Sequence, residues 1–332
     1  MKKHFYKVLP FVFIALFTIR SGCDKQITEG GSEVYENLGY SGCDQYGAFP
    51  IRTVEPVTQP LVCADGVQLS FAQDNVIRYA CLNYPGQADS FDYKWPLIIY
   101  LHGSLTTPES LYSDGKDFFD LRDDTQLSDN PCVRGFIILS PEGRIAKPYN
   151  GDDPATGEGF HWDEWYRNPE KNLDAQAIDH FLDTVISLGK VDTNRIYVYG
   201  WSNGAFMTVL YSTWRSDRIA AMGQYAGANP WDRTPCPISI SYTKQVPLFL
   251  LRNLCDKLVP CYETNEWIDT LSARNWPFVY YSLDAAGYIT SQDSCSTLIG
   301  CDANRGLAEH LRWPRMDPFK EMLEFFKLYS LN

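Results

Sequence analysis

The sequence predicts an α/β protein in which helices flank both faces of a mostly parallel central sheet. Short β-rich runs alternate with helical runs along most of the 332 residues, which is the pattern of an α/β fold. Several β-rich runs are apolar throughout, as strands buried on both faces should be. A composition of 45% hydrophobic and 21% charged residues indicates a packed globular protein and excludes a disordered or collagen-like chain.

Apolar runs and helical periodicity define the elements of this sheet. A helix is expected from Asn172 to Leu188, because apolar residues recur at helical spacing and Gly189 follows as a stop. Another helix should begin at Asp317 with Pro318 in its first position. The predicted strands are Val76–Leu82, Leu97–Leu101, Phe136–Ser140, Arg195–Tyr199, Ile219–Tyr225, Leu248–Arg252 and Phe278–Ser282.

Charge and cysteine spacing exclude two classes of function. The formal net charge of −12 has the wrong sign for a protein that must neutralise phosphates. The sequence has no Cys-x-x-Cys pair and no Cys/His cluster with zinc spacing, so the cysteines do not predict a metal site. We therefore expect neither a nucleic-acid partner nor a metal or other cofactor.

Residues 1–23 are predicted to be an export signal. Lysines precede an apolar run, Val8–Ile19, which is too short to span a bilayer because that takes ~20 apolar residues. The residues that follow, ending in Cys23, resemble a bacterial lipobox, although Arg20 stands where that motif usually has an aliphatic residue. We expect a secreted protein or a cell-surface or periplasmic lipoprotein, whose one contact with a membrane would be a lipid anchor at Cys23.

The ten cysteines fit an oxidising compartment, where disulfides are the default. Cys255 and Cys261, and likewise Cys295 and Cys301, are close enough in sequence to close short loops. Loss of Cys23 would leave an odd number, so one thiol is expected to stay free or to pair between chains. The cysteines that need distant partners are Cys43, Cys63, Cys81, Cys132 and Cys236.

The strongest functional signal is Gly200-Trp201-Ser202-Asn203-Gly204, which lies between a predicted strand and a helical run from Ala205 to Trp214. This context is that of a nucleophile elbow. Both glycines are required, because side chains two residues before and after the serine would collide with each other and with the neighbouring strand. The elbow would hold Ser202 in a strained conformation at a helix N-terminus. An ordinary Gly/Ser turn is the alternative.

A serine nucleophile needs a base, normally a histidine that a carboxylate orients. Of the five histidines, His310 alone follows Ser202, which fits the chain order of serine, acid and histidine. Its alternative is a surface histidine. Asp256 is the predicted acid because it follows an apolar strand, where active sites collect in open α/β sheets. The competing carboxylates are Asp284 and, more weakly, Asp293 and Asp302.

Acyl transfer also needs donors for the oxyanion of the tetrahedral intermediate. The amide after the nucleophile, that of Asn203, is expected to be one donor. The other should come from the loop after the strand ending at Leu101, through the amide of Ser104 or of Leu105.

These segments together resemble the extracellular α/β-hydrolase esterases that include feruloyl esterases and poly(3-hydroxybutyrate) depolymerases. The likeness extends from about Val76 to the C-terminus. It implies the α/β-hydrolase fold, a Ser202–Asp256–His310 triad, and Trp162 or Trp165 beside the cleft. The segments that carry it are residues 95–103, 135–143 and 191–204, the Asp256 turn with Val259-Pro260, and His310 with Trp313-Pro314.

Two departures from the family pattern at the elbow, the unusually bulky Trp201 and Ala205 in place of a common glycine, suggest an altered acyl or leaving-group pocket. A third departure concerns the histidine loop, where Glu309 stands in place of a frequent glycine and Leu311-Arg312 separate His310 from Trp313. Aromatic side chains are candidates for a wall of the substrate site, although they are also ordinary core residues. The expected substrate-binding residues are His102, Trp162, Trp165 and Trp201, with Tyr166 nearby.

The resemblance therefore implies a secreted serine ester hydrolase that works through an acyl-enzyme. Its substrate would be a feruloylated or acetylated polysaccharide, or a polyester. Residues 24–67 are expected to form an irregular, cysteine-containing lead-in and residues 68–332 a single catalytic domain. The alternatives are a serine peptidase of α/β-hydrolase type and a catalytically silent carbohydrate- or polymer-binding protein.

Overall fold

In the computed structural model the protein is built around a mostly parallel sheet. The structure describes residues 60–88, 93–147, 159–233, 242, 244–295 and 308–331, and the backbone of three two-residue strands before them. Within these ranges the strands, in chain order, are β1 Cys43–Asp44, β2 Gly47–Ala48, β3 Arg52–Thr53, β4 Val67–Gln73, β5 Val76–Asn83, β6 Trp95–Leu101, β7 Ile137–Pro141, β8 Arg144–Lys147, β9 Gly159–His161, β10 Val191–Trp201, β11 Ala221–Tyr225, β12 Leu248–Asn253, β13 Phe278–Leu283 and β14 Ile289–Thr290.

The main sheet of the described chain has nine strands in the order β14-β13-β12-β11-β10-β6-β7-β5-β4. The strands from β13 through β7 pair in parallel, and β14, β5 and β4 extend the two edges by antiparallel pairing. Strand β10 lies between β6 and β11, with Gly200 paired to Leu101 and Trp201 to Tyr225. The turn after β10 therefore meets the loop after β6 at the same edge of the sheet.

The predicted strands are confirmed as β5, β6, β7 and β10 to β13, with ends shifted by a few residues. Strand β6 shows why they are apolar throughout. Leu97, Ile99 and Leu101 enter one buried cluster, and Ile98 and Tyr100 enter the cluster on the other face. A strand covered by helices on both faces has no side on which a polar residue would meet water.

Helices cover both faces of the sheet. In the described ranges they are α1 Ser110–Ser113, α2 Lys116–Phe119, α3 Leu173–Ser187, α4 Asn203–Trp214, α5 Cys261–Ala273 and α6 Met316–Lys327. Helices α3, α4 and α5 contribute to one buried cluster, and α6 contributes Phe319, Met322 and Phe326 to the other. The fold class predicted from the sequence is confirmed.

Two helix boundaries differ from the prediction. Helix α4 begins at Asn203 rather than Ala205, directly after the serine. Helix α6 begins at Met316 after Arg315, so Pro318 is its third residue rather than its first. Proline is tolerated there because the amides of the first helical turn have no intrahelical partner.

Strand β4 was absent from the prediction. It pairs antiparallel with β5 at the sheet edge, and exposed positions dominate it, with half-buried ones between. An edge strand with water on one side needs no continuous apolar run. The nine-stranded sheet therefore starts at Val67, one residue before the predicted domain boundary, while residues 24–59 have no described side chain.

The predicted short disulfide loops are wrong. Cys261 is bonded to Cys295 across a separation of 34 residues, with a Cα–Cα distance of 5.5 Å, and Cys63 is bonded to Cys81. Cys255 is also disulfide-bonded. The fold, rather than sequence separation, decides which cysteines reach bonding distance. Among the cysteines whose side chains the structure describes, Cys132 is free and exposed, and the expectation that one thiol of the whole chain stays free or pairs between chains stays a prediction.

The predicted export signal, residues 1–23, lies outside the described residues. Among the helices that the structure does describe, none has the length and apolar character needed to cross a membrane.

Candidate active site

The sequence around Ser202 folds as a tight turn between β10 and α4. Ser202 has φ 55° and ψ −124°, a conformation that costs a non-glycine residue of order 1–3 kcal/mol. A Cβ on Gly200 would lie 2.2 Å from the Gly204 carbonyl oxygen, and one on Gly204 would lie 2.1 Å from the Leu101 carbonyl oxygen. The collisions expected from the sequence motif are thus present, and both positions require glycine.

Ser202, His310 and Asp256 form a continuous hydrogen-bonded chain. Ser202 Oγ lies 2.8 Å from His310 Nε2, and His310 Nδ1 lies 2.8 Å from Asp256 Oδ2. All three residues are buried, with Ser202 8% exposed. With a neutral imidazole, the Ser202 hydroxyl donates to Nε2 and the Nδ1 hydrogen is donated to the carboxylate, which is the geometry of a serine–histidine–acid triad.

The turn after β12 holds the Asp256 carboxylate in one orientation. Asp256 Oδ1 accepts hydrogen bonds from the amides of Leu258 at 2.8 Å and Val259 at 3.0 Å. These bonds leave Oδ2 directed at His310. The loop therefore orients the carboxylate of Asp256, and the carboxylate in turn orients the imidazole of His310.

The competing carboxylates have other partners. Asp284 Oδ1 accepts from the amides of Ala286 and Tyr288 in its own turn. Asp293 pairs with the buried guanidinium of Arg252. Asp302 lies outside the described residues.

Trp201 supports the turn that carries His310. The indole Nε1 of Trp201 donates to the His310 carbonyl oxygen at 3.2 Å, and its ring lies 5.4 Å from that of Trp313, centroid to centroid. The bulky residue in the elbow thus braces the histidine turn, which is the segment where the sequence departs from the family pattern.

The two candidate oxyanion donors are distinguished by their hydrogen bonds. The Leu105 amide donates to the Phe160 carbonyl oxygen at 2.8 Å and is therefore occupied, which leaves Ser104. A Cβ built on Gly103 would lie 3.3 Å from Ser202 Cβ, so this loop runs directly beside the nucleophile. Asn203 is the first residue of α4, where backbone amides have no intrahelical acceptor.

His102 stabilises the oxyanion loop from inside the protein. Its Nε2 accepts from the Gly143 amide at 2.9 Å, so the ring hydrogen is on Nδ1, which donates to the Gly103 carbonyl oxygen at 2.8 Å. Burial lowers the pKa of His102 to about 4, and the ring is neutral near pH 7. The ring is fully buried, and its contact with a substrate stays a prediction.

The aromatic rings expected to form a wall of the substrate site are also buried. Trp162 is fully buried, and Trp165, Trp201 and Tyr166 are at most 8% exposed. Trp162 Nε1 donates to the His102 carbonyl oxygen at 2.9 Å. Trp162 and Trp201 thus each donate to a backbone carbonyl oxygen of a catalytic loop, and the aromatic wall of the substrate site stays a prediction.

A buried ion cluster, Arg78, Arg144, Asp163 and Asp174, anchors the segment that carries these rings. Asp174 Oδ1 accepts from Arg78 and from Arg144, each at 3.0 Å, and Asp174 Oδ2 accepts from the Asp163 amide at 2.7 Å. Burial alone would raise the pKa of Asp174, but the two guanidinium groups outweigh it and hold the pKa below its usual value. The sequence does not predict this cluster, because no spacing along the chain indicates that residues of β5, β8 and α3 meet.

Two sequence comparisons match parts of this chain to known hydrolases. Residues 134–246 match the profile of the prolyl oligopeptidase family, a segment that contains Ser202 and ends before Asp256. An uncharacterized hydrolase of Acanthamoeba polyphaga mimivirus is 26% identical over 227 residues, which cover 61% of this chain and 68% of the relative.

Solved structures share the architecture at low sequence identity. A thermostable esterase superposes with a TM-score of 0.54 and 19% identity, over 80% of this chain and 63% of the esterase. This chain therefore spans less than two thirds of that protein. A ferulic acid esterase gives a TM-score of 0.48 and 16% identity, over 66% of this chain and 90% of that chain. The sheet, the elbow and the first of these likenesses define an α/β-hydrolase fold.

Proposed function

We propose that this protein is a serine carboxylic ester hydrolase that acts through an acyl-enzyme. The observation that carries the proposal is the chain from Ser202 Oγ to His310 Nε2 and from His310 Nδ1 to Asp256 Oδ2, with both distances 2.8 Å. A serine hydroxyl is a weak nucleophile without such a base. The strained elbow and the buried carboxylate have their simplest explanation in this chemistry.

In the first half-reaction Ser202 Oγ attacks the ester carbonyl carbon while His310 Nε2 takes the hydroxyl proton. The negative charge that develops on the carbonyl oxygen is stabilised by the amides of Ser104 and Asn203. One such donor contributes typically about 2.7–4 kcal/mol. His310 then returns the proton to the leaving alcohol oxygen, and the carbon–oxygen bond breaks to give the acyl-enzyme.

In the second half-reaction a water molecule takes the place of the alcohol. His310 accepts a proton from this water, which attacks the acyl carbon and forms a second tetrahedral intermediate. Collapse of that intermediate returns the proton to Ser202 and releases the carboxylic acid. Asp256 stabilises the imidazolium in both halves and holds it in the productive orientation.

The substrate class that we propose is a feruloylated or acetylated polysaccharide, or a polyester. The motif resemblance supports this class, from the segment at residues 95–103 to His310 with Trp313-Pro314. A panel of methyl ferulate, acetylated xylan and polyhydroxybutyrate separates the members. Turnover of none of them, with turnover of simple esters, would contradict this substrate class while leaving the ester hydrolase intact.

We also propose that the protein is exported. Two disulfides join described residues, Cys63–Cys81 and Cys261–Cys295, and such bonds persist in oxidising compartments. The predicted signal at residues 1–23 supports the same conclusion, with a lipid anchor at Cys23 as one form of it. The mass of the mature N-terminal peptide tests both, because lipidation and plain cleavage give different products.

Two alternatives differ in what they predict. A peptidase of the same fold would use the same triad on amides, and the match to the prolyl oligopeptidase family over residues 134–246 favours it as the second candidate. It would cleave short peptides faster than esters. A silent binding protein would retain the fold without turnover of either.

Replacement of Ser202 by alanine tests the proposal. The S202A protein should fold and should lose hydrolysis of p-nitrophenyl acetate to the level of background. Ser212 is a matched control, because it is also buried and lies on α4, away from the histidine. Undiminished turnover by S202A, or equal loss in S212A, would refute the assignment of Ser202.

A further inference from the structure

Two exposed leucines lie directly beside groups that contact or adjoin Ser202. Leu105 follows Ser104 and is 48% exposed, and Leu311 follows His310 and is 55% exposed. Each stands next in sequence to a proposed participant in the reaction. The large apolar side chains that are exposed in the described chain are Val62, Val67, Ile77, Leu105, Leu188, Tyr262, Tyr288, Leu311 and Leu328.

Leu105 is held in place at an energetic cost. Its φ is 62°, in the left-handed region, where a leucine costs of order 1–2 kcal/mol. Two contacts hold this conformation. The Leu105 amide donates a hydrogen bond to the Phe160 carbonyl oxygen at 2.8 Å, and the Leu105 side chain lies against Gly159, where an added Cβ would lie 2.6 Å from Leu105 Cδ2. Such strain persists where the surrounding structure determines it, and it concentrates at functional sites.

Leu311 is held by bonds on both sides. The His310 carbonyl oxygen accepts from Trp201 Nε1, and the Arg312 carbonyl oxygen accepts from the Tyr225 hydroxyl. The Arg312 amide also donates to the Glu309 carbonyl oxygen at 3.3 Å. The turn therefore keeps the Leu311 side chain outside the protein although its neighbours His310 and Trp313 are buried.

The two leucines follow residues that act on different oxygens of the ester. Leu105 follows Ser104, the proposed donor to the carbonyl oxygen. Leu311 follows His310, which protonates the leaving oxygen. We propose that Leu105 contacts the acyl group and Leu311 contacts the alcohol group of the substrate.

This inference rests on the proposed ester hydrolase and makes it more specific. The rings expected to line the site are buried, whereas these two apolar side chains are exposed and directly follow Ser104 and His310 in the sequence. When an apolar substituent covers either leucine, apolar surface is removed from water, which stabilises the complex. Within the proposed substrate class the protein should therefore favour esters with apolar surface on both the acyl and the alcohol side, as a polyester has, and the two sides should contact different residues.

Leu105→Ala and Leu311→Ala test the division, with Leu328→Ala as a matched control. Leu328 is also exposed and lies at the end of α6. The acyl group is varied with p-nitrophenyl acetate and p-nitrophenyl octanoate, and the alcohol with methyl acetate and octyl acetate. L105A should lower kcat/KM about 10-fold for p-nitrophenyl octanoate, and L311A about 10-fold for octyl acetate, since loss of apolar contact has this order of effect.

Selectivity, rather than activity as such, decides the outcome. Each variant should lose several-fold more kcat/KM on the long ester of its own series than on the short one, and L328A should match the parent throughout. Equal losses on short and long esters, an exchange of the two effects, or no loss at all would overturn the inference. A parent protein that hydrolyses none of the four esters would instead refute the proposed function, and this inference with it.

Discussion

The side chain of Asn203 is paired with the main chain of Trp162. Asn203 Oδ1 accepts from the Trp162 amide at 2.6 Å, and Asn203 Nδ2 donates to the Trp162 carbonyl oxygen at 3.1 Å. The same segment provides the Phe160 carbonyl oxygen that occupies the Leu105 amide. The residue after the nucleophile therefore fixes, through its side chain, the loop that leaves Ser104 as the oxyanion donor.

Asn203→Ala should weaken both the fold and the reaction. It leaves the buried main-chain N–H of Trp162 without its acceptor, which costs about 1–3 kcal/mol, whereas the Trp162 carbonyl oxygen still accepts from the Glu164 amide at 3.0 Å. We expect Tm to fall by several degrees and kcat to fall about 10-fold or more, because the oxyanion loop loses its support. The exposed Asn194 provides a control, since N194A should change stability by at most about 0.5 kcal/mol. Unchanged kcat in N203A would contradict the positioning role.

Asp256→Asn should preserve the fold and abolish most of the activity. The amide can still accept from Leu258 and Val259 through Oδ1, but its NH2 group cannot accept the Nδ1 hydrogen of His310. The imidazole then takes the wrong tautomer, and we expect kcat to fall by about 10³–10⁴.

Asp284→Asn is the control for this change, because Asp284 makes the same kind of turn without touching the histidine. Steady-state hydrolysis of p-nitrophenyl acetate compares the two. Loss of activity in D284N together with activity in D256N would reverse the assignment of the acid.

Gly204→Ala should prevent normal packing of the elbow. Its Cβ would lie 2.1 Å from the Leu101 carbonyl oxygen and 2.4 Å from that of His102, so α4 must move away from β6. Overpacking of this kind costs about 1–3 kcal/mol or more. At Gly86 the nearest atom to an added Cβ is 4.0 Å away, so G86A should unfold like the parent. Urea titration measures both, and equal stability of G204A and G86A would contradict the clash.

Buried His102 should make stability fall in acid. Its folded pKa of about 4 is below the unfolded value of about 6.5, so the unfolded chain binds the proton first as the pH falls. The group should therefore remove about 3 kcal/mol of stability between pH 6.5 and pH 4. Burial raises the pKa of Glu142 to about 8, which gives the opposite trend between about pH 4.5 and 8.

Comparison of the parent with His102→Gln isolates the histidine, because Glu142 is common to both proteins. Urea unfolding at pH 7 and at pH 4 gives the two free energies of unfolding. The parent should lose more stability than H102Q over this interval. Parallel pH profiles would show that His102 does not stay neutral in the folded protein.

The sequence was sufficient for the interior of the sheet and insufficient for its edge. Strands such as β6 and β12 are buried on both faces, and their apolar runs are visible without any neighbour. In strand β4 exposed residues alternate with half-buried ones, and the pairing of β4 with β5 depends on contacts that a local pattern does not contain. The same reason explains the disulfides, since Cys261 meets Cys295 only after α5 and β13 are in place.

In the site, the motif order located three residues that the fold brings together from distant segments. Two features distinguish Ser202, Asp256 and His310 from other residues in the sequence. They follow the chain order of serine, acid and histidine, and the first two come shortly after predicted strands. Burial is not visible in such features. Trp162 and His102 carry aromatic rings that suit a ligand, and whether such a ring faces solvent or the core depends on tertiary packing, here on Asn203 and Gly143.

Labelling with a fluorophosphonate, followed by peptide mass spectrometry, tests the central claim most directly. An activated serine reacts with this reagent through its oxygen, and reactivity requires the base as well as the hydroxyl. We predict one adduct, on the peptide that contains Ser202, with none in S202A and a strongly slowed reaction in D256N. A folded parent protein that forms no adduct, or forms one on another serine, would contradict the account.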